Sequence, residues 1–98
     1  MFRISRADEA FRTIVTVDGQ LLGDSVVVVE KCCDQALAAG RVVHLFLRDV
    51  STVDRAGRAL LGRLAGRGVR LLAEGVYNSY LVGALRQDVR GEVAEVKP

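Results

Sequence analysis

The chain contains 98 residues, of which 50% are hydrophobic and 27% are charged, and its formal net charge is +2. This composition excludes a disordered chain, and the length suits a single small domain spanning 1–98. The charge is too small to indicate nucleic-acid binding. The longest apolar run, 26–29, is far shorter than the roughly 20 residues that cross a bilayer. Charged residues near the amino terminus leave no apolar segment typical of a signal peptide.

The two cysteines, Cys32 and Cys33, are adjacent, and the chain has a single histidine, His44. Adjacent cysteines rarely pair with each other, so they provide no disulfide framework and favour a reducing, cytoplasmic location. Without a second histidine or a Cys-x-x-Cys motif, the sequence offers no recognisable metal site. We expect Cys33 in the core and His44 in a buried strand, and we expect no cofactor, no metal and no catalytic residue.

The amino-terminal segment predicts a pair of strands. Segment 2–4 is a candidate edge strand, 5–10 a polar turn, and 11–17 a second strand rich in β-branched residues. Asp18-Gly19 carries a turn signal that ends this second strand. The two strands are expected to pair in the antiparallel sense.

The first helix is expected over 26–39, with Ser25 as its N-cap and Gly40 after its end. The valines at 26–29 also suit a strand, because β-branched residues are poor helix formers. The segment that follows them is strongly helical, and Val26, Val29 and Cys33 share one face at helical spacing, which favours the helix.

Segment 41–47 is almost continuously apolar, which is typical of a strand buried on both faces of a parallel sheet. A polar loop is expected over 48–53, followed by a second helix over 54–66 with Asp54 as its N-cap. Segment 69–73 is predicted to form another short buried strand.

A third amphipathic helix is predicted over 76–86, and 89–98 is expected to be an extra turn or a frayed tail. The element order β-β-α-β-α-β-α indicates an α/β (α+β-like) domain. We expect a mixed sheet of four to five strands packed with about three to four helices.

Segment 45–61 resembles the signature of the STAS domain, the fold of anti-sigma factor antagonists and of the cytosolic tails of sulfate transporters. That signature runs approximately Asp-Leu-Ser-x-Val-x-x-Ile-Asp-Ser-Ser-Gly-Leu-x-Leu-Leu. Gly19-Gln20-Leu21 is also similar to the Gly-Glu-Leu-Asp turn of the family. The residues that match the signature without a gap are Leu47, Val50, Val53, Asp54, Gly57, Leu60 and Leu61.

The phosphate chemistry that the resemblance implies lacks its usual residues. In the family an anti-sigma kinase phosphorylates the second serine of Asp-Ser-Ser-Gly, and Ala56 stands at that position here, with Arg55 in place of the first serine. Leu22 and Phe46 replace acidic residues of the family. We interpret these apolar replacements as one pocket no longer used for phosphate chemistry.

Two hydroxyl side chains, Ser51 and Thr52, precede Asp54 and are the remaining phosphorylation candidates in this stretch. Their ordinary role, as polar residues that hydrogen bond to the loop backbone, is favoured.

The second helix carries Arg55, Arg58, Arg63 and Arg67, with Arg70 just beyond. These arginines are interpreted either as a basic docking face for an acidic partner or, more simply, as a solvated helix face. No aromatic side chains accompany them for base stacking, which argues against nucleic acid.

The sequence thus predicts a non-enzymatic, cytoplasmic, bacterial protein that regulates transcription by binding another protein through 48–54 and the second helix. The resemblance implies an anti-sigma factor or kinase-like partner. The alternative is a STAS-like accessory subunit of a phospholipid or anion transport assembly, which binds its ATPase or permease. Homodimer formation is left open. The residues predicted to contact the partner are Asp49, Ser51, Thr52, Asp54, Arg55, Ala56, Gly57 and Arg58.

Overall fold

A four-stranded mixed sheet organises the chain in the computed structural model, which describes residues 1–74 and Gly83. The strands follow the order β1-β2-β3-β4; β1 pairs antiparallel with β2, and the other two pairs are parallel. The predicted mixed sheet is therefore confirmed. The elements are β1 (Phe2–Asp8), β2 (Arg12–Leu21), α1 (Asp24–Ala38), β3 (Val42–Val53), α2 (Arg55–Gly66) and β4 (Arg70–Ala73).

Both helices pack on the same face of the sheet, where they bury one continuous apolar core. Alternate residues of β3 enter this core, whereas His44 and Phe46 between them are only half-buried on the opposite face. The prediction that β3 is buried on both faces, with His44 inside it, is wrong, because the described helices cover one face alone. The fully buried core residues include Val15, Val17, Leu45, Leu47, Val29, Cys33, Leu60, Leu61 and Leu64.

Strands β2 and β3 are longer than the sequence predicted. The turn expected at Asp18-Gly19 and the loop expected over 48–53 are both wrong, because the two segments pair with each other up to the register Leu21↔Val53. The pairing register between β2 and β3 shifts twice within 17–20, as it does at β-bulges. Gly19 has a φ of 98°, and the Met1 backbone fills the space where a Cβ would lie. The glycine therefore serves a strand irregularity and not a turn.

Helix α1 includes all of the valines at 26–29, as predicted, but it begins at Asp24 after Gly23. The prediction of Ser25 as N-cap is wrong, since Ser25 is buried inside the first turn. Its Oγ accepts a hydrogen bond from the Leu22 amide at 2.8 Å. Ser25 therefore stabilises the β2–α1 connection. The N-cap residue Gly23 has no side chain with which to cap the helix.

Strand β1 also exceeds its predicted length, since 5–8 pairs with β2 instead of forming part of a turn. The Asp8 carboxylate accepts hydrogen bonds from Thr13 Oγ1 at 2.8 Å and from Arg6 Nε at 2.9 Å, and these bonds lower its pKa. Arg41 Nε donates to the same Thr13 hydroxyl at 2.6 Å. This network joins the β1–β2 hairpin to the start of β3.

The described residues contain four strands and two helices, at or below the lower end of the predicted counts. The helix predicted over 76–86 and the tail predicted over 89–98 lie outside the described residues. The N-cap at Asp54 and the short strand before residue 74 are confirmed.

Candidate functional site

The carboxyl ends of β2 and β3 and the first turns of α1 and α2 meet at one end of the sheet. Leu21 pairs with Val53 at the last position of both strands, and the Asp54 amide donates to the Leu21 carbonyl at 3.3 Å. In α/β sheets this is the end at which functional groups commonly gather. The residues predicted from the sequence as partner contacts all lie here, on the end of β3 and the start of α2.

Asp54 connects the two helix starts. It has extended backbone torsion angles, and its Oδ1 accepts a hydrogen bond from the Gly57 amide at 2.7 Å, which caps α2. Its other carboxylate oxygen accepts from the Gly23 amide at 3.2 Å, at the start of α1. One carboxylate therefore satisfies an amide at each helix start, where unpaired amides carry partial positive charge. The sequence predicted the cap and missed the second bond.

Gly57 lies buried against the end of the sheet. A Cβ added to it would lie 2.7 Å from the Leu21 carbonyl oxygen and 2.8 Å from Val53 Cγ1. Gly57 is among the residues predicted from the sequence to contact the partner. The close approach in the structure is internal, because the glycine lets α2 start directly on the ends of β2 and β3.

Ala56 and Arg55 are exposed in the first turn of α2, beside the capping carboxylate. Ser51 and Thr52 are exposed at the end of β3, and Ser51 Oγ makes only a long hydrogen bond of 3.4 Å to the Gly19 carbonyl. Asp49 is exposed on the same strand. The predicted contact residues other than Gly57 and the half-buried Asp54 are therefore open to solvent.

The proposed grouping of Ala56, Leu22 and Phe46 in one pocket is wrong. Phe46 lies in the middle of β3 on the face opposite the helices, eight residues before Asp54. At about 3.3 Å per strand residue, it is on the order of 25 Å from the helix start. Leu22 does lie at the correct end, where its amide donates to Ser25 Oγ. The extended β3 strand, in place of a predicted loop, separates the aromatic side chain from the site.

The arginines of α2 fall into two groups. Arg63 forms an ion pair with Glu30 at 3.3 Å, and Arg67 forms one with Asp34, so both bind α1. Arg55 and Arg58 are exposed and form no ion pair with any residue of the described part of the chain. The basic face predicted from the sequence is therefore half neutralised within the molecule.

A further ion pair lies on the neighbouring strands. Arg48 donates from Nε to Asp18 Oδ1 at 2.9 Å and from Nη2 to Oδ2 at 2.5 Å. This bidentate contact lowers the pKa of the Asp18 carboxyl and raises that of the Arg48 guanidinium. Arg48, which lies in the segment predicted to bind a partner, is thereby held across the ends of β2 and β3.

No protein-family model matches the chain, and no curated protein matches it significantly. An anti-sigma factor antagonist from Mycobacterium paratuberculosis matches in structure with a TM-score of 0.73 and 14% identity, over 90% of this chain and 80% of that chain. A DUF3478-family protein with a SpoIIAA-like fold, from Shewanella loihica PV-4, gives a TM-score of 0.60 and 12% identity over 89% and 78%. The chain has the SpoIIAA-like fold. A third structure, Mglu, gives a TM-score of 0.58 and 25% identity over 74% of this chain and 19% of that chain.

The SpoIIAA-like fold confirms, at the level of fold, the resemblance to anti-sigma factor antagonists that segment 45–61 indicated. Two statements stay predictions: that phosphorylation at the usual position, Ala56 here, does not switch the protein, and that the named residues contact a partner. In the described part of this SpoIIAA-like domain, neither helix is long and apolar enough to cross a membrane.

Both thiols of this SpoIIAA-like domain are at least partly buried. Cys33 is fully buried, as predicted, and burial raises the pKa of its thiol to about 12. Cys32 is half-buried near Arg6, and burial raises its pKa as well. Neither thiol is poised to ionise near neutral pH. Residues 1–74 contain no cluster of three or more metal-ligating side chains.

Proposed function

We propose that this chain is a non-enzymatic regulatory module that binds another protein through the end of β3 and the start of α2. It would act in the manner of an anti-sigma factor antagonist. The observation that carries the proposal is the pair of unpaired, exposed arginines, Arg55 and Arg58, beside the exposed Ala56 in the first turn of α2. This surface lies at the carboxyl ends of β2 and β3, the end at which α/β sheets commonly place functional groups, which supports the same choice.

The second part of the proposal is that phosphorylation at the usual position does not switch this protein. Alanine has no hydroxyl, so a kinase that acts at this helix start finds no acceptor at residue 56. In a protein with serine there, the added phosphate carries nearly two negative charges and changes the surface that the partner contacts. This chain would hold one binding state, which makes it an always-competent antagonist.

Affinity capture from the organism that encodes the protein tests the binding surface. The matched baits are wild type, Arg58→Glu and Arg67→Glu, since both variants change the net charge equally. We expect a partner to be lost with Arg58→Glu and kept with Arg67→Glu. Equal recovery with all three baits would exclude the start of α2 as the docking surface. An anti-sigma factor or kinase supports the proposal, whereas a transport ATPase or permease supports the alternative function.

Phosphosite mapping by mass spectrometry tests the missing switch. The wild-type chain and Ala56→Ser are incubated with the captured kinase, or with candidate kinases of the same organism. We expect no stoichiometric phosphate on the wild type. Stoichiometric modification of Ser51 or Thr52 would contradict this part of the proposal, because the two exposed hydroxyls would then replace the usual site.

A further inference from the structure

Strand β1 lies at the edge of the described sheet, and two hydrogen bonds at its ends fix the direction of its backbone groups. The Gln20 amide donates to the Met1 carbonyl at 2.8 Å, and the Glu9 amide donates to the Arg12 carbonyl at 2.7 Å. Along an antiparallel strand, residues that bond to the neighbouring strand alternate with residues that do not. Both bonds use odd-numbered residues of the first segment. The even-numbered residues therefore direct their amides and carbonyls outward, away from β2; they are Phe2, Ile4, Arg6 and Asp8.

No described strand pairs with this outward edge, although nothing in β1 blocks pairing. The strand has seven residues, contains no proline and pairs with β2 without a register shift. The charged side chains that commonly protect an edge have neighbours within the chain. Arg6 Nε donates to Asp8 Oδ1 at 2.9 Å, Thr13 donates to the same oxygen, and Arg3 lies opposite Asp18. Four amides and four carbonyls thus have no strand partner within the described part of the chain.

Helix α1 leaves an apolar side chain exposed beside the same edge. Because α1 returns antiparallel to β2, it runs in the direction of β1, and Cys32 on its flank away from α2 lies beside Arg6. Val28 lies one helical turn earlier on that flank, about 5 Å nearer the start of β1 and therefore close to Ile4. Val28 is 44% exposed. Valine is a poorer helix former than alanine, and an exposed valine gains little burial in return.

We propose that a second copy of this chain pairs with β1 in the antiparallel sense and joins the two sheets into one continuous sheet. The twofold axis stands perpendicular to the sheet at Ser5. This register places Ile4 opposite Arg6 of the second copy, and Phe2 opposite its Asp8. Every outward amide and carbonyl of β1 then gains a hydrogen-bond partner. The contact is self-complementary, as a closed dimer requires.

The sequence of β1 favours this register over its neighbours. Paired side chains lie on the same face of a sheet, so the possible registers differ by steps of two residues. One step places Arg6 opposite Arg6 of the second copy, where like charges are unfavourable. The step in the other direction centres the pairing on Ile4 and leaves the last two residues of β1 unpaired. Centred on Ser5, all seven residues pair, no like charges lie directly opposite each other, and the Val28 side chains of both copies lie near the axis.

The inferred dimer goes beyond the proposed function and is compatible with it. Strand β2 lies between the β1 edge and β3, so pairing through β1 leaves the end of β3 and the start of α2 uncovered. Each dimer then presents two copies of the proposed docking surface.

Disulfide trapping in the full chain tests the register. Ser5→Cys places two thiols opposite each other at a non-hydrogen-bonded pair, where Cα atoms are about 4.5 Å apart and a disulfide can form. Ala7→Cys is the matched control, because residue 7 is exposed on the same face but its two copies lie on the order of 13 Å apart along the strands. We expect Ser5→Cys to form the covalent dimer at least about tenfold faster than Ala7→Cys, and the wild type to form none.

Equal rates for the two cysteine variants would overturn the register, because they indicate random collision. No covalent dimer of Ser5→Cys at about millimolar concentration would overturn the pairing itself.

Sedimentation equilibrium tests the dimer without a cross-link. Val28→Asp is compared with Val27→Asp, because Val27 is 57% exposed but lies on the flank of α1 toward α2. We expect a reversible dimer in the wild type, weakened about tenfold by Val28→Asp and unchanged by Val27→Asp. A wild type that stays monomeric at all concentrations, or equal effects of the two substitutions, would overturn the inference. Neither experiment involves the partner protein, so failure of the dimer leaves the proposed function standing.

Discussion

The two ends of α2 each carry two arginines, but these arginines have different surroundings. Toward the helix ends, Arg63 and Arg67 are occupied by carboxylates of α1. Toward the helix starts, Arg55 and Arg58 have no carboxylate partner within the described residues, and the one carboxylate nearby, Asp54, binds backbone amides. The charge of a helix face is therefore a poor guide to its availability. The neighbouring helix decides which arginines a partner can use.

The largest expected effect concerns how the helix starts are built. Gly57→Ala should lower the free energy of unfolding by about 2 kcal/mol, because its Cβ would meet the Leu21 carbonyl oxygen and Val53. Gly62→Ala is the control in the same helix, since its Cβ meets nothing within 4 Å. That control should raise stability by about 0.8 kcal/mol through helix propensity. Urea denaturation measures both, and a loss of stability in Gly62→Ala of equal size would refute the explanation.

A smaller effect is expected from the carboxylate that joins the two helix starts. Asp54→Ala should cost about 1.5 kcal/mol, since an amide of each helix loses its acceptor. Asp54→Asn should cost less, because the remaining carbonyl oxygen can still cap α2. Chemical denaturation measures the difference between the two variants. Equal losses of stability in Asp54→Ala and Asp54→Asn would show that the negative charge of Asp54, and not its hydrogen bond to the Gly57 amide, provides the stabilisation.

The two groups of arginines should respond with opposite signs. Arg67→Ala should lower stability by about 0.3 kcal/mol, the usual value for an exposed ion pair, since both partners are nearly half exposed. Arg55→Ala should raise stability by a similar amount, because it removes positive charge from a helix start, also about 0.3 kcal/mol. A double-mutant cycle with Asp34→Ala isolates the ion pair. A coupling free energy between Arg55 and Asp34 in an equivalent cycle would contradict the division of the arginines into two groups.

The smallest effect is expected at His44, which lies on the opposite face of the sheet from both groups of arginines. Partial burial, with the positive charges of Arg12 and Arg70, lowers the pKa of His44 below its ordinary 6.5. The folded state therefore disfavours the protonated ring. The contribution of His44 to stability is fully present above about pH 6.5 and is lost as the pH falls through the lowered pKa. His44→Gln should flatten this part of the profile of stability against pH. An unchanged slope of stability against pH would show that His44 does not cause this pH dependence.

Local sequence signals predicted the elements of this fold better than their lengths. Asp54 as N-cap and the buried Cys33 followed from short-range chemistry and helical spacing, and both are confirmed. The apparent loop over 48–53 failed because polar residues there still pair with β2, while Val50 between them is buried. Pairing between strands is a property of tertiary structure, which composition along one strand does not reveal.

The candidate site was predictable in position but not in detail. The signature around Asp54 and Gly57 identified the correct end of the domain. The bond from Gly23 to Asp54 and the ion pairs from α1 to α2 join residues more than thirty positions apart, and no local pattern encodes them.

Hydrogen–deuterium exchange of the complex with the captured partner tests the central claim most directly. The account predicts that the partner slows exchange of backbone amides over 48–60, at the end of β3 and the start of α2. It predicts little change over 62–68, where the arginines already bind α1. Protection confined to β1, or to the helix ends with the helix starts unchanged, would contradict the account.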